Sequence, residues 1–262
     1  MGLYKDEAII LSKMAYGESD RIMRLYTLAS GKISAIAKGA NKSQKRFINT
    51  LEPFNHIRFE YFEKQSKGMV RIDSADVIES GSGMETSLKK VSAAAFFAEF
   101  ADRLTKDREK NTVLFYTLKD IFKRLKNSEF AYEDILYYEL KMLKILGFMP
   151  NLTGCACCSK TVPDEDKVHF SSERGGIICP ACSKAISHRT YSEGTIPRLL
   201  YIGRKHDGRA YEVCECSTEE NSFNSGNIRS QFEKEILQIM ESFISFHLDV
   251  EFKSYRILKG LI

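Results

Sequence analysis

Four cysteines stand in two C-x-x-C pairs, Cys155-Ala156-Cys157-Cys158 and Cys179-Pro180-Ala181-Cys182, with twenty residues between them. Such a pair closes a tight knuckle that aims both sulfurs at one point, and two pairs at this separation have metal-site spacing. Four thiolates complete a tetrahedron around Zn²⁺, and a site closed in that way is structural, not catalytic. One structural Zn²⁺ on Cys155, Cys158, Cys179 and Cys182 is therefore expected. Cys157 offers another sulfur inside the first pair and stays open as a substitute for Cys158, though the spacing favours Cys155 with Cys158. Cys214 and Cys216 form a separate C-x-C and read as ordinary buried or half-buried residues.

Other cysteine chemistry fits less well. Disulfides suit exported proteins, and the start Met1-Gly2-Leu3-Tyr4-Lys5-Asp6-Glu7 has no apolar signal core. A thioredoxin-like site needs one C-x-x-C beside a βαβ pattern. A deaminase zinc needs H-x-E and P-C-x-x-C. Here His169 is followed by Phe170 and Ser171, and Pro180 lies inside the second pair.

The second chemical feature is charge. The chain of 262 residues carries a net charge of only +4, but between Asp20 and Glu52 there is no acidic residue. That interval holds Arg21, Arg24, Lys32, Lys38, Lys42, Lys45 and Arg46. The stretch Lys38 to Phe47 is polar and without a helix or strand period, so it reads as a basic loop between strands. Such a loop can lie along phosphates and gain affinity by counterion release. Gly39 and Ser43 allow close approach, and Asn41, Ser43 and Gln44 add neutral donors. The plainer reading is a solvated connection. Tyr26 or Phe47 could stack a base, with core packing as the competing role.

The elements that must position these groups follow from the pattern. Residues 1 to about 80 show five β-compatible runs: Glu7–Met14, Arg21–Leu28, Ile33–Ala37, Phe54–Phe62 and Met69–Ile78. Five short strands with turns between them suggest a small closed barrel, either an OB fold or an SH3-like barrel. Gly81-Ser82-Gly83 reads as a hinge. Three amphipathic helices follow, from about Leu88 to Leu104, from an Asn111-Thr112 cap to Leu125, and from Tyr132 to Leu146, and three in a row imply a bundle. Gly147 is placed to end the third, and Pro150 blocks its continuation. Val168–Phe170, Arg174–Gly176 and Ile177–Ile178 read as strand, turn and strand of a zinc ribbon. A short helix is expected around Arg198–Ile202. Arg204 to Asn227 gives no clear element, with a loop over Ser217–Gly226, and Ile228–Leu248 is a long amphipathic helix on which His247 reads as a core histidine.

The fold class is thus α+β: a five-stranded OB-like barrel over 1–80, a helical domain over 81–149 and 184–262, and a four-cysteine zinc-binding insert over 150–183. Hydrophobic residues make up 43% of the chain, enough for real cores. No apolar run approaches the roughly 18 residues of a membrane span; Ala93 to Ala98 is only six. Asp6 stands where a myristoylation motif wants Ser or Thr. There is no Walker A loop, no G-x-S-x-G and no H-E-x-x-H, so no enzyme activity is expected. Glu99-Asp102 and Glu133-Asp134 read as solvated helix faces. A zinc enzyme acting on nucleic acid would need an open metal position, against which four cysteines argue.

Taken together these residues resemble a known family, the bacterial recombination mediator RecO. The N-terminal part carries the likeness in Gly17-Glu18-x-Asp20-Arg21, Thr27, Gly31, Lys38-Gly39-Ala40, Ser43 and Leu51-x-Pro53-Phe54. The most specific block is Glu139-Leu140-x-x-Leu143-x-x-x-Gly147-x-x-Pro150-x-Leu152-x-x-Cys155-x-x-Cys158. Phe170, Gly175-Gly176 ahead of the second cysteine pair, and Ser254 to Leu258 add to it. The resemblance implies an N-terminal OB domain, a helical domain and a zinc-binding part. It implies DNA repair and recombination without bond chemistry: binding of single- and double-stranded DNA, annealing, work with RecR, and help in loading RecA on strands coated by single-stranded-DNA-binding protein. In the family that protein's acidic tail docks on the helical domain. A cytoplasmic, nucleoid-associated site of action is expected. The alternative is a zinc-stabilised interaction scaffold that makes no DNA contact. The departure from the family pattern is the third cysteine, Cys157, in the first knuckle.

Overall fold

The structure is a computed structural model that describes residues 2–43, 46–63, 68–162, 167–204 and 226–261, with side chains of the long last-but-one helix from 231 onward. In chain order its elements are β1 (Gly2–Tyr16), β2 (Asp20–Thr27), β3 (Gly31–Ala37), β4 (His56–Glu63), β5 (Val70–Glu79), α1 (Leu88–Leu104), α2 (Thr112–Asn127), α3 (Tyr132–Leu146), β6 (Lys167–Ser171), β7 (Gly176–Ile178), α4 (Pro180–Ser183), β8 (Arg189–Ser192), α5 (Thr195–Arg204), α6 (Gly226–Leu248) and α7 (Lys253–Lys259). They form two compact units, one of Met1–Leu146 with Phe252–Ile262 and one of Gly147–Glu251.

In the first unit the five expected strands close a barrel in the order β1-β2-β3-β5-β4, as an OB-like barrel requires. One long strand makes closure possible. The N-terminal half of β1 pairs with β4, from Gly2 opposite Glu63 to Ile9 opposite His56. Its C-terminal half pairs with β2, from Ala8 opposite Thr27 to Tyr16 opposite Asp20, through a bulge between Ile10 and Ser12. A bulge adds local bend and twist. The seam is the parallel pair β3 and β5, Ala35 to Ala37 against Val70 to Ile72. The period of two sends Ile10, Met23, Leu25, Ile33, Phe59 and Ile72 into one core, which Ala40, Phe47 and Leu51 of the β3–β4 connection complete. Tyr26 is fully buried too. Neither Tyr26 nor Phe47 presents a ring for stacking.

The three expected helices follow. Ser87 caps α1 by accepting from Lys90 N–H, and Asn111 caps α2 by accepting from Leu114 N–H at 3.0 Å. Each satisfies an orphan donor of the first turn, worth about 1 kcal/mol. Gly147, at φ 80°, ends α3 in the left-handed region. Phe96, Phe97 and Phe100 are fully buried along α1, each contributing roughly 1.5–3 kcal/mol of transfer free energy. Phe252 stacks on Phe100 at 5.2 Å and Tyr255 lies 5.1 Å from Phe96, so α7 packs on α1. Gly31 is where the α1–α2 connection touches the barrel: a Cβ there would stand 2.0 Å from the Glu109 carbonyl oxygen.

The second unit holds a three-stranded sheet in the order β7-β6-β8. β6 and β7 are the two expected ribbon strands, with Phe170 opposite Ile177. β8 was not anticipated, because a four-residue strand has too few positions to show a period. It lies on β6 with Val168 opposite Tyr191. The Glu235 carboxylate of α6 accepts from Ser192 N–H at 2.9 Å and Ser192 Oγ at 2.8 Å, and from Thr195 Oγ1, which ties β8 to the start of α5. This grouping differs from the expected division, which put 184–262 with the first three helices: β8, α5 and α6 cluster with the cysteines. Cys214 and Cys216 lie outside the described residues. His247 packs at 4.6 Å from Phe243 and lies 2.6 Å from the Ser172 carbonyl through Nε2.

Candidate metal centre and nucleic-acid interface

The sulfurs of Cys155, Cys158, Cys179 and Cys182 all lie within 4.8 Å of one another. Local structure puts them there. In the first knuckle Cys155 N–H donates to the Lys160 carbonyl at 2.8 Å, and Ser159 N–H donates back to the Cys155 carbonyl at 2.8 Å. Ser159 takes the left-handed φ of 61° that the reversal needs. In the second, Pro180 opens α4 directly after Cys179, and Cys182 and Ser183 N–H both donate to the Cys179 carbonyl at 3.0 Å. The knuckles are joined to the hairpin by Ala156 N–H donating to the Ile177 carbonyl at 2.7 Å. Asn151 flanks β7 so closely that a Cβ on Gly176 would stand 2.3 Å from the Asn151 carbonyl oxygen, so only glycine fits there. Cys155, Ile178 and Cys179 form a small core, with Val162 and Ile186 against it.

The donor set fits a thiophilic cation. Tetrahedral Zn–S bonds of about 2.3 Å imply sulfur–sulfur edges of roughly 3.8 Å, and Cys158 Sγ lies 3.8 Å from Cys179 Sγ. Burial opposes ionisation of Cys155, but the N–H groups of Cys179, Cys158 and Cys157 outweigh it and bring the thiol down to about 6. Cys182 is pushed up, first by the Cys179 sulfur and then by burial and the remaining thiols. Without a cation these groups resist sharing one negative site; a divalent ion removes the conflict. Cys157 is exposed and outside the four-sulfur group, as the C-x-x-C spacing favoured.

Six of the seven basic residues are described, and they fall into two kinds with Arg21 between them. Lys38, Lys42 and Arg46 are exposed on the β3–β4 connection. Arg46 donates to the Lys38 carbonyl at 2.8 Å and lies 4.6 Å over the ring of Phe47, which is buried beneath it. Ser43 Oγ accepts from Arg46 N–H at 2.9 Å, and Asn41 N–H donates to the Ser19 carbonyl at 2.8 Å. The loop is therefore bonded in place. Gly39, at φ 69°, donates its N–H to Asp20 Oδ1 at 2.8 Å. That bond, with one from Ser19, lowers the Asp20 pKa. Lys45 lies outside the described residues.

Arg24 and Lys32 are of the second kind. Lys32 is buried, with a side chain 7% exposed. Its ammonium donates to the carbonyls of Asp102 and Thr105 and lies 3.8 and 3.7 Å from the carboxylates of Asp102 and Asp107. Arg24 pairs with the same two acids at 3.0 and 3.2 Å. Both cations fasten the barrel to the end of α1. Arg21 is intermediate: it donates to Asn41 Oδ1 at 2.6 Å and lies 3.4 Å from Glu52. The interval without acids in sequence is not without acids in space. Glu52 also pairs with Lys13, and Glu18 reaches to 3.9 Å from Lys42. Asp102 and Asp107, some seventy residues away, carry no pattern that would have paired them with β2 and β3.

Comparison with known proteins bears on both sites. A family model described as Recombination protein O N terminal matches residues 1–81, and one described as Recombination protein O C terminal matches residues 85–256. The chain is 32% identical over 265 residues to the DNA repair protein RecO of Thermoanaerobacter sp. (strain X514), covering 100% of this chain and 99% of that one. It is 30% identical over 256 residues to the DNA repair protein RecO of Caldanaerobacter subterraneus subsp. tengcongensis, covering 97% and 96%. With the DNA repair protein RecO of Myxococcus xanthus it shares 35% identity over 182 residues, 70% of this chain and 73% of that one. No helix among the described residues is long and apolar enough to cross a membrane.

Proposed function

Because the chain belongs to the recombination protein O family, with a role in DNA repair and recombination, we propose that it is a DNA-binding mediator that anneals strands without bond chemistry. The observation that carries the reading is the bonded β3–β4 loop, which holds Lys38, Lys42 and Arg46 exposed on a closed barrel. Annealing needs two phosphate backbones screened while base edges stay free. Fixed cations on a side-chain surface do this without reading sequence. Lys45 belongs to the same loop and Arg21 stands at its base. Arg24 and Lys32 act on this surface through the fold, by holding the barrel against α1.

In this reading single- and double-stranded DNA are the ligands of the barrel, residues 1–80. The helical part meets the acidic tail of single-stranded-DNA-binding protein, and together with RecR the chain helps load RecA. The four-cysteine module holds one structural Zn²⁺, which would supply no chemistry beyond fastening its two knuckles. Cys155, Cys158, Cys179 and Cys182 would hold it. The work is done in the cytoplasm, at the nucleoid. Titrating fluorescent oligonucleotides at several salt concentrations tests the reading. Binding that weakens linearly in log salt, equally for unrelated sequences, is expected. Absence of binding at low salt would overturn it.

One observation favours a second reading, the interaction scaffold. Arg21, Arg24, Lys32 and Lys42 each have a carboxylate within 4.0 Å. If those pairs persist against nucleic acid, much of the basic interval is neutralised by the chain itself, and the same titration shows it.

A further inference from the structure

A second basic surface lies elsewhere on the first unit. A small cleft between the barrel and α2 is lined by His56 of β4, Glu79 and Ser80 at the end of β5, and Lys119, Lys123 and Lys126 of α2. The lysine spacing of four and three residues keeps the ammonium groups on one helix face. At 1.5 Å per residue they span roughly 10 Å. Tyr116, one turn earlier on that face, is 53% exposed. The acid nearest this row on α2, Asp120, is engaged by the Tyr138 hydroxyl at 2.5 Å. Within the lining, Glu79 is the one acid against three lysines.

One residue of the lining carries an independent sign of a ligand. His56 is 4% exposed, and its Nδ1 is buried without a hydrogen-bond partner. A buried polar atom left unpaired is costly, of order 1–3 kcal/mol. The other nitrogen, Nε2, lies 3.0 Å from the Glu7 carboxylate, which fixes it as N–H. Lys119 and Glu79 face the ring from α2 and β5, and Arg58 reaches it only through Glu7, at 3.2 Å. Burial and then Lys119 hold the His56 ring below its ordinary value, so Nδ1 is bare in the free protein, and an anionic oxygen entering the cleft would bring a proton onto Nδ1 and accept from it.

We infer that the His56 cleft and the Lys119–Lys123–Lys126 row are a second phosphate track, which takes the backbone of a second nucleic-acid strand. An extended row of point charges with an exposed ring in line suits a polynucleotide, where a backbone runs along cations and a base stacks on an aromatic face. The inference rests on the mediator reading. It adds what annealing requires: two strands held by one unit, one at the loop and one along α2.

The test uses the full chain with Lys119→Ala and Lys123→Ala together. Lys126 is left alone because its ammonium donates to the Ser80 carbonyl at 3.0 Å. Binding of one labelled strand and the rate of annealing to its complement are measured side by side. First-strand affinity should stay near that of the parent. Capture of the second strand should weaken about 25-fold at 0.1 M salt, as two contacts at a slope of about 0.7 each give. Lys119→Arg with Lys123→Arg should restore annealing, and the His56 ring resonances should shift on adding a second strand in the parent but not in the Ala variant. A parent that binds no strand overturns the mediator reading and this inference with it. A parent that binds, with an Ala variant that anneals at the same rate, overturns the second track alone. So does an Ala variant that keeps annealing but loses an acidic peptide, since the row would then serve a protein partner.

Discussion

The ammonium of Lys32 donates to the main-chain carbonyl of Thr105, so a cation from the basic interval is spent inside the fold. Replacing Lys32 with Met keeps the aliphatic stem and removes the charge. It leaves the Asp102 and Thr105 carbonyls without their donor and leaves the carboxylates of Asp102 and Asp107 to Arg24 alone. The two carboxylates are partly in solvent, at 31% and 59% exposure, which moderates the loss. Denaturant unfolding should show about 2–3 kcal/mol less stability. The salt dependence of DNA binding by the folded variant should be unchanged. A fall in salt dependence with no loss of stability would assign Lys32 to the DNA surface.

Lys38 and Lys42 should behave in the opposite way. Both are exposed, and the one carboxylate near Lys42, Glu18, is itself 95% exposed. Changing both to Ala should lower the salt slope by about 1.4 for single strands and 1.8 for duplex. The thermal midpoint should hold. Arg46→Lys keeps the charge but loses the planar group over Phe47, so a modest stability loss of roughly 0.5–1 kcal/mol should accompany nearly normal binding. Titrations at three or more salt concentrations check both.

The carboxylate of Glu99 holds the start of α7. It accepts from Lys253 N–H at 3.2 Å, Ser254 N–H at 2.9 Å, Ser254 Oγ at 2.6 Å and Arg103 Nε at 2.9 Å. Burial raises its pKa, but these donors outweigh that and leave it lowered. A carboxylate lowered on folding stabilises above its unfolded value near 4.5, and that stability is lost as pH falls through the folded value. Glu99→Gln should therefore cost roughly 1–3 kcal/mol at neutral pH, and the difference from the parent should shrink below pH 4.5. Unfolding curves at pH 7 and pH 4 read this directly. A constant difference would mean that the charge is not what matters.

For the cysteine site, about one Zn²⁺ per chain should be found by elemental analysis under reducing conditions. Cys179→Ser should abolish it and unfold the second unit, since metal binding at such a site is coupled to folding. A strong chelator should do the same to the parent. Cys157→Ser should leave metal content and stability unchanged, because its sulfur is outside the four-membered group. Loss of metal on changing Cys157 would revise the ligand set.

Periodic features were legible in the sequence and spatial pairings were not. The β6–β7 hairpin, the Asn111 cap and the end of α3 at Leu146 each follow from local rules, namely alternation, an orphan donor and a glycine with positive φ. The four-cysteine cluster was legible because both knuckles are local structures with fixed spacing. The basic interval misled in one respect. Sequence distance says nothing about which carboxylates return from elsewhere, so Arg24 and Lys32 could not be told from Lys38 and Lys42. The His56 cleft escaped for the same reason. Lys119, Lys123 and Lys126 recur at helical spacing on α2, and nothing in that spacing shows that β4 and β5 lie beside them.

The return of Phe252–Ile262 to the first unit has a consequence for how the chain is made. Residues 147–251 are spliced into a body whose last helix leaves the ribosome after them. The four cysteines can thus be brought together while α1 still waits for the rings of Phe252 and Tyr255. A stop codon ahead of residue 252 would spare all four clustered cysteines and damage a part of the chain made before them. On a translating ribosome, the unit that begins before the cysteine module finishes after it.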